Sequence, residues 1–210
     1  TGSPHILRVQ AAGDVEKKSV TVHAWVKPGE PAAATKLHVT IREALTGEVA
    51  GEGQFEIPAA GDGPERTGRI TIPIRNCHLW SPESPFLYEL EVSSDADAIK
   101  TRFGMRTFSL DPATGRAMLN GKPYFMCGSN VTLYRFFEDP QRGDKPWREE
   151  WVRRLHKAVR DMHWNSLRYC IGFPPEFWYR IADEEGILIQ DEFPIWDMEQ
   201  KPGAYDVSEL

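Results

Sequence analysis

The chain has 210 residues, 40% hydrophobic and 27% charged, with a formal net charge of −6. Those are ordinary globular values, enough for one large or two small domains, and the acidic balance argues against nucleic acid or an anionic membrane as partner, since both want a basic face. No apolar run approaches the ~18 residues of a membrane span, and Cys77, Cys127 and Cys170 form neither a CxxC pair nor a zinc-ligand cluster.

From the N-terminus to about Asp111 the pattern is β. The start, Thr1-Gly2-Ser3-Pro4, has neither a basic n-region nor an apolar h-region, so the chain is expected to begin mid-protein, with the compartment left open. Val20, Val22, Ala24 and Val26 alternate with polar or partly polar neighbours. So do Leu37, Val39 and Ile41, then Ile70, Ile72 and Ile74, then Tyr88, Leu90 and Val92. Period two buries one face of each strand and wets the other, as in antiparallel sheets. Turn residues punctuate the run at Lys27-Pro28-Gly29, Thr46-Gly47, Gly61-Asp62-Gly63-Pro64 and Ser94-Asp95. About seven short strands over this length predict an immunoglobulin-like β-sandwich spanning 1–110.

After Asp111 the grammar changes. Tyr124-Phe125-Met126-Cys127 is a short apolar run, expected to lead a first strand whose following loop holds Asn130. Asp144-Lys145-Pro146 reads as a cap with proline in the first turn of a helix. That helix would carry Trp147, Trp151, Leu155, Ala158, Val159 and Met162 on its apolar side, with Glu149/Arg153 and Glu150/Arg154 as ion pairs. A strand over Ser166–Ile171 follows, then a helix opened by Pro174-Pro175 and closed before Gly186, then a strand over Ile187–Asp191. Strands alternating with helices predict parallel β/α units over 111–210. A complete (β/α)₈ barrel takes about 250 residues, so this stretch holds only its opening strands.

Four segments, in order, resemble the glycoside hydrolases of family 2, which include β-galactosidases, β-glucuronidases and β-mannosidases. Leu79-Trp80-Ser81-Pro82-Glu83-Ser84-Pro85-Phe86-Leu87-Tyr88 is similar to a W-x-P-x-x-P-x-L-Y segment of the family's immunoglobulin-like domain, and Phe103-Gly104-Met105-Arg106 to the F-G-x-R that closes it. Leu119-Asn120-Gly121-Lys122-Pro123 resembles the turn into the first barrel strand. Asn165-Ser166-Leu167-Arg168, with Asp183-Glu184-Glu185-Gly186-Ile187-Leu188-Ile189-Gln190-Asp191-Glu192, resembles the stretch from the second strand to the third.

The resemblance implies a retaining exo-β-glycosidase acting on carbohydrate, with no cofactor, and a fold of sandwich followed by an incomplete barrel. It also implies that both catalytic glutamates lie on later strands. None is expected before Leu210, so the 210-residue chain alone is expected to be inactive. Arg168, Asp191 and Glu192 fall near the C-terminal ends of barrel strands, where such enzymes build their sites. With Asn130, they are the candidates for binding substrate or positioning the nucleophile. Asp191 and Glu192 are poor candidates for the catalytic pair, because neighbours on a strand point to opposite faces. The sequence departs from the Arg-x-Ser-His-Tyr-Pro of some galactosidases, and Trp196 stands where some carry a magnesium-binding glutamate, so no metal is expected there. Two alternatives remain: a non-catalytic sandwich binding glycan or protein beside a vestigial barrel piece, and a different barrel enzyme with an added sandwich.

Overall fold

The alternating apolar runs fold as their period requires. The computed structural model describes residues 4–29, 33–59 and 65–193; the Gly61–Pro64 turn and Trp196 lie outside them. Seven antiparallel strands come first: β1 (His5–Asp14), β2 (Ser19–Lys27), β3 (Thr35–Glu43), β4 (Val49–Ile57), β5 (Arg66–Pro73), β6 (Tyr88–Ser93) and β7 (Ala98–Phe103). They form a three-stranded sheet, β1-β2-β5, and a four-stranded sheet, β4-β3-β6-β7. The inward positions of the two sheets make one core, with Val20, Val22 and Ala24 facing Leu37, Val39, Ile41, Tyr88, Leu90 and Val92. This is a β-sandwich in which every second side chain is excluded from water. The Tyr88 hydroxyl accepts the His78 N–H at 2.8 Å, so its burial leaves no orphan oxygen.

A small antiparallel sheet of β8 (Phe108–Leu110), β9 (Ala117–Leu119) and β10 (Lys122–Pro123) follows. Asn120 and Gly121 both have positive φ, 51° and 75°, which makes the tight turn between β9 and β10. Next come β11 (Gly128–Thr132), the short helix α1 (Tyr134–Phe137), α2 (Glu149–Asp161), β12 (Ser166–Cys170), α3 (Glu176–Glu185) and β13 (Leu188–Asp191). β11, β12 and β13 pair in parallel, in that order. Helices α2 and α3 cover one face, closing a second core around Leu133, Val152, Leu167, Tyr169, Trp178, Ile181 and Ile187. Gly186 ends α3 in the left-handed region at φ 73°, as a C-terminal cap.

Three local expectations need correcting. Tyr124–Cys127 is not a strand and Phe125 is largely exposed; the first parallel strand is Gly128–Thr132, which places Asn130 in the strand rather than in a loop. The Asn165 side chain holds the preceding segment instead, accepting from Cys127 N at 2.9 Å and donating to Phe125 O at 2.9 Å. The helix does not run from Asp144. Lys145–Trp147 is one 3₁₀ turn, Arg148 is extended, and α2 starts at Glu149. The Pro146 carbonyl that a continuous helix would give to Glu150 is taken by Trp178 Nε1 at 2.8 Å. Trp147 is therefore exposed, and so are Ala158 and Met162. The buried stripe of α2 is Val152, His156 and Val159. Of the two ion pairs expected along α2, Glu149–Arg153 forms at 3.0 Å.

His156 is fully buried, with Nδ1 2.8 Å from Val152 O and Nε2 2.8 Å from the Tyr169 hydroxyl. A carbonyl can only accept, so Nδ1 carries the proton, and in the neutral ring Nε2 accepts from the Tyr169 hydroxyl. Burial is the main cause that holds the His156 pKa below its ordinary 6.5. Below 6.5 the unfolded chain takes up a proton that the folded ring resists. The associated stability is therefore complete above pH 6.5 and falls as the pH drops toward the depressed folded value. Melting temperature measured from pH 7.5 to 5 is expected to fall less in His156→Gln than in the wild type. Parallel curves would show that another group governs this range.

The two cores meet at Trp80. The indole is fully buried, and its Nε1 donates to Asp183 O on α3 at 2.8 Å. Arg106 lies over the ring at 4.2 Å and reaches Asp183 Oδ1 at 3.1 Å. Arg102 of β7 meets Glu184 at 2.6 Å, and Arg153 of α2 meets the same carboxylate at 2.8 Å. These contacts lie at the C-terminal end of α3 and the entrance to β13, away from the C-terminal strand ends.

Candidate functional site at the strand ends

Register decides which side chains share a face. In the parallel ladder Asn130 pairs with Arg168 and Arg168 with Gln190, while Thr132 pairs with Cys170. Side chains alternate, so this face carries Asn130, Thr132, Arg168, Cys170 and Gln190. The opposite face carries Val131, Leu167, Tyr169 and Ile189, which pack on the helices. Among the described residues, the face away from the helices is thus polar and the helix-covered face apolar.

Arg168 Nη2 lies 3.0 Å from Glu192 Oε1, and the two side chains are 40% and 22% exposed. A charge-assisted contact of this length fixes both groups. The other oxygen, Glu192 Oε2, is buried and has no hydrogen-bond partner among the described residues. The Cys170 thiol is pushed above its ordinary pKa, first by its contact with Glu192 and then by burial. Asn130 stands exposed beside Arg168 in register.

Asp191 does not join them. It pairs with Tyr169 in the ladder and accepts the Tyr179 hydroxyl of α3 at 2.8 Å, on the helix side. The Tyr179 phenol is pushed up, by burial first and then by donating to Asp191. The structure therefore gathers Asn130, Arg168 and Glu192 and sets Asp191 apart. Cys170, Thr132 and Gln190 share the polar face and were not singled out from sequence. Counting by two from Arg168 would have found Cys170, and strand pairing supplies the others.

Chemically, one carboxylate locked to one arginine orients its surroundings. A retaining glycosidase needs two carboxyls about 5 Å apart across the scissile bond, and Asp191 and Glu192 lie on opposite faces. Among the described residues no three His, Cys, Asp or Glu side chains converge on a possible metal position, and no helix is long and apolar enough to cross a membrane.

Residues 5–106, the sandwich, match the sequence model of the family "Glycosyl hydrolases family 2". A β-galactosidase of Pectobacterium atrosepticum is 31% identical over 130 residues, covering 59% of this chain and 12% of the relative. A crystal structure of a family 2 glycosyl hydrolase from Bacteroides cellulosilyticus superposes with a TM-score of 0.78 at 17% identity, over 97% of this chain and 26% of that one. A β-glucuronidase from Ruminococcus gnavus, in complex with D-glucuronic acid, gives 0.70 at 22% identity, over 92% of this chain and 31% of its own. The chain spans 12–15% of the length of the curated relatives it matches. With residues 5–106 matched to the family's sequence model, similar relatives that are named as β-galactosidases, and the same fold in solved members, the sandwich belongs to glycosyl hydrolase family 2 and the rest of the chain continues the fold of its solved members.

Proposed function

We propose that this chain is part of a retaining exo-β-glycosidase. In this reading residues 1–110 are a bracing sandwich domain and 111–210 open a (β/α)₈ catalytic barrel. The observation that carries it is the Arg168–Glu192 pair at the C-terminal ends of parallel strands, with Asn130 beside it in register. That is where barrel enzymes place their chemistry. Later strands of the full-length protein would bring the acid/base and nucleophile glutamates to this face. Arg168 would keep the nucleophile ionised by its fixed positive charge, and Glu192 would hold the guanidinium in place. Asn130 would meet sugar hydroxyls. Asp191 would act from the far side, anchoring the end of β13 through Tyr179.

The rival reading, a sandwich that binds glycan or protein on its own, is weakened by Trp80. Its indole is fully buried and spent on the contact with α3, so it offers no face to a ligand.

Two measurements test the proposal together. Anomer-resolved NMR of the full-length protein's reaction is expected to show a first product with retained configuration, whatever the sugar. The purified 210-residue chain is expected to release no product from the same β-glycoside. An inverted first product, or turnover by the short chain, would overturn the mechanism.

A further inference from the structure

We infer that Phe173 and Phe193 form a subsite for a flat, apolar-faced ring on the leaving-group side of the bond, at the rim above the Arg168–Glu192 pair. The inference rests on the glycosidase reading for its location on the leaving-group side, though not for the existence of the subsite.

Both phenylalanines are large apolar side chains left in the open, 52% and 46% exposed. Phe173 follows the C-terminal end of β12, and Phe193 follows that of β13 and adjoins Glu192. Their ring centroids are 5.2 Å apart with planes at 84°, an edge-to-face pair. In that geometry the partner ring covers neither face of one phenylalanine and only one face of the other, and about half of each side chain is open to solvent. Apolar surface at the mouth of a parallel-strand site, rimming polar groups below, is how small-molecule pockets are lined.

The backbone supports the same conclusion. Ile171 has φ 57° and Gly172 φ 119°. A β-branched residue in the left-handed region is strained, and strain of this kind persists where surrounding structure enforces it, often at ligand clamps. Here it turns the chain directly after β12 and delivers Phe173 to the rim. Gly172 N is 3.4 Å from Glu192 O, so the two loops that carry the aromatics are joined at the residue that holds Arg168.

A pyranose bound through its hydroxyls below would project its substituent toward this rim. The exposed aromatic surface suits the C–H face of a second sugar or an aryl ring, and no anion. The shared chemistry is a ring with an apolar face; the test separates the two sources.

The experiment uses the full-length protein and three β-glycosides of the sugar it accepts: methyl, p-nitrophenyl, and a disaccharide with a pyranose leaving group. Turnover and calorimetric binding are measured for each. The preference for the two ring-bearing substrates over the methyl glycoside, in kcat/KM, is expected to fall at least tenfold in Phe173→Ala/Phe193→Ala and to return in Phe173→Trp/Phe193→Trp. Loss confined to one ring-bearing substrate identifies the source. If all three substrates weaken alike, or if only melting temperature drops because another part of the barrel covers the pair, the inference fails. A protein that binds the ring-bearing glycosides through these phenylalanines without hydrolysing them keeps the subsite and loses the enzyme reading. A hydrolase indifferent to both phenylalanines does the reverse.

Discussion

Arg168→Lys in the full-length protein is expected to keep the fold and to lose about 10²-fold or more in kcat, the scale found for other preorganised charge contacts. Arg168 presents a planar fork of donors on the face it shares with Asn130 and Gln190. One arm of that fork is committed to Glu192 at 3.0 Å. Among the described residues the remaining donors have no carboxylate partner, and in the proposed enzyme they would meet the nucleophile. Lysine keeps the positive charge and can still reach one carboxylate, but it has a single donor head and cannot bridge two groups in a fixed plane. The loss should fall on kcat more than on KM, because positioning of the nucleophile acts in the transition state. Glu192→Gln is the companion variant. It keeps a hydrogen-bond acceptor beside Arg168 but removes the charge, so kcat should fall by less and its dependence on pH should shift. If Arg168→Lys retains near wild-type kcat, or if its lost activity follows lost melting temperature, Arg168 is a structural residue and the site assignment is wrong.

How far this site was legible in sequence depended on which force placed each residue. The sandwich strands were read from period-two burial, and Val20, Val22, Leu37, Val39, Leu90 and Val92 all lie in its core. Local geometry was also legible at Gly186, because a left-handed cap after a helix wants glycine. Placement that depends on partners distant in sequence was not. Nothing near Pro146 says that Trp178, on another helix, will take its carbonyl and delay α2 until Glu149. His156 reads as a polar break in an apolar stripe, and only the Tyr169 hydroxyl and the Val152 carbonyl make its burial tolerable. Nothing in the sequence says which of the adjacent Asp191 and Glu192 will meet Arg168. Alternation along β13 gives Asp191 to Tyr179 and brings Glu192 to the arginine.

The joint between the two cores leads to the other large effect. Trp80→Ala is expected to destabilise the 210-residue chain by about 3–5 kcal/mol, as for other fully buried tryptophans. For a chain of this size that corresponds to a melting temperature lower by roughly 6–20 °C. Three independent contacts depend on the indole. Its Nε1 satisfies the Asp183 carbonyl, its face holds Arg106, and its bulk fills the space that Gly104 leaves open. A Cβ on Gly104 would stand 2.7 Å from Trp80 Cβ, so the glycine and the tryptophan form one fit. Removing the ring also uncovers the Arg106–Asp183 pair to water. The Asp183 carboxyl is now pushed up, chiefly by burial against the pull of Arg106, and should relax toward its ordinary value. Gly186→Ala tests the same joint from the β/α side. Its Cβ would meet the Pro82 carbonyl oxygen at 2.5 Å, and its φ of 73° disfavours any side chain. Both variants should weaken the sandwich and the β/α unit together, because Trp80 and Pro82 belong to one and Asp183 and Gly186 to the other. Denaturant titration followed by far-UV circular dichroism and by tryptophan fluorescence reads both units at once. A loss below about 1 kcal/mol in Trp80→Ala would mean that the two units merely touch, and that the sandwich does not brace the strands carrying Arg168 and Glu192.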